Sequence, residues 1–122
     1  KTILMKVLVY GASTNPSRYA YIATELLLQH GHEVSLVGIK KGEVLGLPIQ
    51  QDQPLLTEID TVTLYVGPAN QEGLFDYLQT LSPRRVIFNP GTENPELEKA
   101  LEKSGIQTEE ACTLVLLHTG QF

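Results

Sequence analysis

Ile3-Leu4-Met5-Lys6-Val7-Leu8-Val9-Tyr10, followed at once by Gly11-Ala12-Ser13-Thr14-Asn15-Pro16, is the stretch on which the reading of the chain turns. Its first eight residues are a near-continuous apolar run of β-formers broken only by Lys6, the pattern of a parallel strand covered on both faces. Gly11 ends the run. Asn15-Pro16 then reads as a helix start: asparagine caps free N–H groups, and proline at the first helical position gives up an N–H that had no partner anyway. This predicts a helix to about His30, with Ala20, Ile22, Ala23, Leu26 and Leu27 turned inward and Gly31 as its stop.

The same strand-then-helix unit recurs downstream. Glu33 to Gly38 and Thr61 to Val66 read as strands, with Asn70 to Leu81 as a helix closed by Ser82-Pro83. Arg85 to Asn89 is a further strand, and Asn94-Pro95 repeats the cap-and-proline signal for a helix ending at Gly105. Ile106 to Thr108 makes a last short strand, and the apolar tail Ala111 to Leu117 packs down as a turn or strand. Between 40 and 60 the pattern is less regular: a turn at Lys40-Lys41-Gly42, a short edge strand at Leu47 to Gln50 and one helical turn over Leu55 to Ile59. Alternating strands and helices imply right-handed crossovers, a doubly wound and mostly parallel sheet with the first strand central, and helices on both faces.

Composition narrows the function classes. At 122 residues the chain is expected to be one domain, residues 1–122, with a core large enough to fold without disulfides or a structural metal. Its net charge is −5 with nine lysines and arginines, mostly scattered, which argues against a nucleic-acid platform. One cysteine, Cys112, excludes an internal disulfide and a multi-cysteine zinc site. No apolar run is long enough to span a bilayer and no signal-peptide pattern follows the first strand, so the cytoplasm is the expected compartment.

In a doubly wound sheet, ligands bind beyond the carboxyl ends of the strands where the strand order reverses. Two loops meet there: Gly11 to Arg18, and Gly67-Pro68-Ala69-Asn70. The first presents a helix N-terminus, polar donors at Ser13, Thr14 and Asn15, and the Arg18 guanidinium, all suited to a phosphate. The blander alternative is that these polar residues only cap the helix. Only Gly11 matches the three-glycine dinucleotide fingerprint, and Lys40–Lys41 stand where a ribose-binding acid would be. NAD is therefore disfavoured, and NADP or a 3′-phosphorylated adenosine such as that of coenzyme A is favoured, unless the two lysines form no more than a solvated turn.

No acid–base set accompanies the loops. Ser13 lacks a histidine–acid pair, and Cys112 sits in an apolar stretch next to Glu109 and Glu110, which would not activate a thiolate. His30 and His32 flank Gly31 at a helix end and read as caps rather than metal ligands. Tyr65 reads as core. The expectation is a binding module without catalytic residues and without a metal.

Taken together, several of these motifs resemble those of the small coenzyme-A-binding domain proteins, whose fold is shared with the N-terminal domain of the succinyl-CoA synthetase α subunit. The residues that carry the resemblance are Gly11-Ala12-Ser13, Asn15-Pro16, Arg18-Tyr19, Leu27-Leu28, His30-Gly31-His32-Glu33-Val34, Lys40, Leu45-Gly46, Asp60 to Val66, Asn89-Pro90-Gly91 and Cys112. The resemblance implies a Rossmann-like, three-layer α/β/α fold. It also implies that Gly11, Ala12, Ser13, Thr14, Asn15 and Arg18 face the pyrophosphate of coenzyme A or an acyl-CoA, with Lys40 near the ribose phosphate. Val66, Gly67, Pro68 and Ala69 would line the adenine or pantetheine path, and Asn89, Pro90 and Gly91 would close the far side. Gly38-Ile39 stands where the family has Asn-Pro, and Thr119 to Phe122 replaces its usual basic tail. The function expected on this basis is non-catalytic binding of a small nucleotide ligand, with a protein partner or a second copy as further company. The rival is an oxidoreductase, or a subunit of one, that uses NADP.

Overall fold

A computed structural model of the chain describes residues 3–122. Residues 1 and 2 of the expected domain lie outside the described residues. β1 (Lys6–Tyr10) sits at the centre of a seven-stranded sheet. It pairs in parallel with β2 (Glu33–Val37), Tyr10 opposite Val37, and with β5 (Thr61–Leu64), Tyr10 opposite Leu64. β4 (Leu47–Gln50) extends the sheet beyond β2, and β3 (Glu43–Val44) adds a short antiparallel edge. On the other side β6 (Arg85–Phe88) and β7 (Gln107–Glu110) follow β5 in parallel. The order is β3-β4-β2-β1-β5-β6-β7, so the direction of winding reverses between β1 and β5. This is the Rossmann-like, doubly wound, three-layer arrangement the sequence predicts.

The alternation of β1 divides the core into two. Leu8 points into a cluster with Val62, Leu64, Val86 and Phe88 under α2 (Leu74–Leu81) and α3 (Pro95–Lys103). Val7 and Val9 point the opposite way, into a cluster with Val34, Leu36, Ala20, Leu27 and Leu117 under α1 (Tyr19–Gln29) and α4 (Thr113–His118). Residues at 0% exposure on both faces explain why β1 had to be almost wholly apolar.

Six local expectations need correction. The first helix begins at Tyr19, not at Pro16. Asn15 spends its carboxamide oxygen on the N–H (3.0 Å) and hydroxyl (2.7 Å) of Ser17, closing a tight turn ahead of the helix. On that helix Ile22 and Leu26 are only half-buried, while Thr24 is buried because its hydroxyl donates to the Ala20 carbonyl at 2.8 Å. The second helix starts at Leu74, because Gly73 adopts φ 75° and separates it from a single 3-10 turn at Pro68–Asn70. Residues 55–59 form no helical turn: Leu55 is 81% exposed, so that segment has no apolar face to lay down. The tail is a helix, α4, neither a turn nor a strand, and it buries its own Thr113, Leu116 and Leu117.

The edge strand is also not Leu47–Gln50 but β3, folded back through Leu45 (φ 52°) and Gly46 (φ 87°) in the paired left-handed conformations of a tight hairpin. Asn94 caps α3 as expected, accepting from the Leu97 N–H, and Gly31 follows α1 at φ 86°. Arg84 and Arg85 are engaged at the opposite end of the sheet, pairing with Asp60 at 3.0 Å and Glu109 at 3.5 Å. No helix among the described residues is long and apolar enough to cross a membrane.

Candidate functional site

The winding reversal opens a cleft of about 1250 Å³ at the carboxyl ends of β1, β2, β4, β5 and β6. Its first wall is the loop from Gly11 to Arg18. The carbonyl of Val37, at the end of β2, accepts from both Gly11 N–H (2.8 Å) and Ala12 N–H (2.9 Å), so these two amides serve the scaffold. The next two, on Ser13 and Thr14, have no protein acceptor among the described residues, nor do those of Tyr19 and Ala20 at the start of α1. Arg18, the helix N-cap, offers no side-chain cap and leaves its guanidinium exposed and outside any ion pair among the described residues. Unspent donors and an unpaired cation at a helix start are the groups that an anion could engage.

Two glycines hold this wall in place. Gly11 has φ 104°, and a Cβ there would lie 2.9 Å from the Tyr65 carbonyl carbon. A Cβ on Gly38 would lie 2.6 Å from the Ala12 oxygen. The loop is therefore pressed between the ends of β2 and β5 at distances that only glycine allows.

The opposite wall is Val66-Gly67 with Ala69 and Asn70, backed by Pro90, Gly91 and Thr92. Gln71, 5% exposed, ties these two loops together. Its Nε2 donates to the carbonyls of Val66 (2.9 Å) and Thr92 (2.8 Å), and its Oε1 accepts from Asn94 Nδ2 (2.9 Å). Nothing in the local sequence distinguishes this glutamine from a surface residue of a loop.

The structure gathers Gly11, Ala12, Ser13, Thr14, Asn15, Arg18, Lys40, Val66, Gly67, Pro90 and Gly91 around one cleft. Asn89, Pro68 and Lys41 are not in its lining. Asn89 is buried with its side chain fully used: Nδ2 donates to Thr63 Oγ1 (2.7 Å) and to the Leu64 carbonyl (2.9 Å), and Oδ1 accepts from Thr113 N–H (2.8 Å). It positions the end of β6 rather than facing a ligand.

Other lining residues escaped the sequence reading: Tyr10, Ile39, Ile49, Gln51, Asp52, Gln53 and Glu72 among them. Those after β4 could have been found from its pairing with β2, since a parallel neighbour must deliver its following loop to the same end of the sheet.

The acid–base inventory changes slightly. The two switch-point loops carry no titratable acid, but Asp52 and Glu72 reach the cleft from neighbouring segments. Tyr65 contributes to the cleft lining, and its hydroxyl is buried without a hydrogen-bond partner among the described residues. Burial pushes its pKa up to about 12, so it stays a neutral phenol. Ser13 Oγ accepts from Asn15 N–H at 3.1 Å. His30 Nδ1–H donates to the Leu26 carbonyl at 2.9 Å, a helix-end cap, and His32 lies at the far end of the sheet. Among the described residues no three His, Cys, Asp or Glu side chains are grouped to hold a metal ion.

The CoA binding domain family model matches residues 5–118. Among solved structures, the crystal structure of an uncharacterized protein is 50% identical and superposes with a TM-score of 0.97, covering 99% of this chain and 100% of its own. A hypothetical protein from Pyrococcus horikoshii OT3 is 28% identical with a TM-score of 0.85, over 97% of this chain and 84% of its own. The dinucleotide-forming acetyl-coenzyme A synthetase 1 of Ca. Korarchaeum cryptofilum, in complex with phosphate and ADP, is 19% identical with a TM-score of 0.73. It matches over 88% of this chain and 25% of that one, a likeness of fold. Comparison with curated proteins gave no match.

Proposed function

The chain belongs to the CoA binding domain family, and on that premise we propose that its cleft binds coenzyme A or an acyl-CoA without transforming it. The observation that carries this reading is the set of unspent donors on one wall. The Ser13 and Thr14 amides, the start of α1 and the Arg18 guanidinium are all without protein acceptors among the described residues. They would hold a pyrophosphate, and Lys40, in no ion pair among the described residues, would hold a phosphate on the ribose. The Val66-Gly67 and Pro90-Gly91 wall, small and largely uncharged, leaves room for an extended arm.

The residues that face the cleft offer little for chemistry on the ligand. General acid–base catalysis needs a titratable group within hydrogen-bond reach of the reacting atom, with a pKa near the working pH. Tyr65 is held neutral, no histidine or cysteine lines the cleft among the described residues, and its two carboxylates, Asp52 and Glu72, lie on segments outside the loop that would hold the phosphates.

Titration calorimetry with coenzyme A, acetyl-CoA, NADP, NAD and ATP tests the reading. Saturable binding strongest for the coenzyme A pair is expected. Tighter binding of NADP, or no heat with either coenzyme A species, would overturn it.

A further inference from the structure

β4 runs parallel to β2 with Val37 opposite Gln50, so the segments leaving the two strands emerge side by side at the cleft. Two hydrogen bonds lock them together: Gly38 N–H to the Gln50 carbonyl at 2.9 Å, and Gln51 Nε2 to the Ile39 carbonyl at 3.1 Å. The next residue on each side is charged. Lys40 follows Ile39 and Asp52 follows Gln51; both line the cleft, and neither is in an ion pair among the described residues. Asp52 sits at φ 62°, in the left-handed region that aspartate and asparagine enter more readily than other non-glycine residues.

A rim meant only for phosphate would carry cations on both segments, because a carboxylate beside the lysine repels an anion. A ribose with one hydroxyl esterified and its neighbour free presents something different: an anionic acceptor next to a donor. A hydroxyl donates readily to a carboxylate, and such charge-assisted bonds are the strong ones. We infer that Asp52 determines specificity by accepting a hydrogen bond from the free ribose hydroxyl beside the phosphate that Lys40 holds. Lys40 then selects against ribose without a phosphate, and Asp52 selects against ribose without the adjacent hydroxyl. This inference rests on the coenzyme reading of the cleft.

The test uses adenosine 3′,5′-bisphosphate and its 2′-deoxy counterpart as calorimetric probes, with coenzyme A itself as the baseline. Asp52→Asn and Asp52→Gly are suitable variants, since both residues tolerate the left-handed backbone at this position. The wild type should prefer the ribo form by about tenfold, the worth of one hydrogen bond to a charged group. Asp52→Gly should erase that preference and Asp52→Asn, whose carboxamide oxygen is a neutral acceptor, should shrink it, whereas Lys40→Ala should weaken the two probes equally. If the wild type binds coenzyme A yet does not distinguish the probes, the inference fails and the coenzyme reading stands. An Asp52→Asn protein that binds the ribo form more tightly also overturns it, by showing that the carboxylate only repels. A wild type that binds neither coenzyme A nor the bisphosphate overturns the parent reading, and this one with it.

Discussion

Replacing Gly38 by alanine should damage stability and binding together, through one backbone contact. The new Cβ would arrive 2.6 Å from the Ala12 carbonyl oxygen and 3.0 Å from Ile49 Cγ2. Ile49 can shift its side chain. The carbonyl is backbone and can move only by carrying with it the Ser13 amide of the same peptide. Reaching an ordinary contact of 3.4 Å requires the loop to retreat by about 0.8 Å. Overpacking of this kind costs about 1–3 kcal/mol. At roughly 4 °C per kcal/mol for a domain of this size, the melting temperature should fall by about 4–12 °C. The Ser13 and Thr14 amides ride on the displaced segment, and a hydrogen bond stretched that far is largely lost. Coenzyme A affinity should therefore drop by about tenfold or more. Gly105→Ala is the control: at φ 86° with nothing within 4 Å of the added methyl, it carries backbone strain of about 1–2 kcal/mol but leaves the cleft untouched. Differential scanning calorimetry and coenzyme titration, run on both variants, decide the matter. Equal affinity in Gly38→Ala and Gly105→Ala proteins of similar stability would refute the claim that loop position sets the anion site.

The same geometry sets other expected outcomes. Arg18→Ala should weaken coenzyme A binding about tenfold while leaving the melting temperature unchanged, with Lys103→Ala as a control away from the cleft. Asn89→Ala strands the Thr113 N–H and the Leu64 carbonyl in the interior and should cost about 3 kcal/mol in urea denaturation, with a far smaller effect on affinity in the protein that remains folded. His32 has its pKa lowered below the usual 6.5 by burial first, then by His30 and Arg85, while its Nδ1 accepts from the Met5 N–H at 3.0 Å. The unfolded chain therefore takes up that proton before the folded one, so stability should decline as pH falls through and below 6.5. A His32→Asn protein measured by urea midpoint at several pH values should lose this component of the slope. Incubation with acetyl-CoA and succinyl-CoA should release no free thiol above the blank; release abolished by Asp52→Asn or Glu72→Gln would make this chain an enzyme.

The architecture was legible because β1 is covered on both faces and its residues say so, as does the repeated Asn-Pro signal, correct at Asn94 and misleading at Asn15. The two sites share a dipeptide but differ in the residues after it. At Asn94 the side chain reaches the Leu97 N–H, whereas at Asn15 the nearby Ser17 hydroxyl captures it. Local chemistry of that kind, decided by a few tenths of an ångström, is beyond pattern reading. The first cleft wall was legible because it lies within one continuous loop. Gln71 and Asp52 were not, since their roles depend on which distant segments the sheet sets beside them. Asn89 looked like a contact residue because nothing near it in sequence reveals the Thr63–Thr113 pair that occupies it.

The Gln71 tie has a consequence for the thermodynamics of capture. A loop that must be ordered by its ligand spends part of the binding free energy on lost motion, and affinity suffers accordingly. Here one buried carboxamide already joins the exits of β5 and β6, and the Val37 carbonyl already fastens the exit of β1. A ligand entering between them should meet walls that are ordered beforehand. Its association should then show a small entropic penalty, and a heat-capacity change set by the apolar surface it covers rather than by any coupled folding.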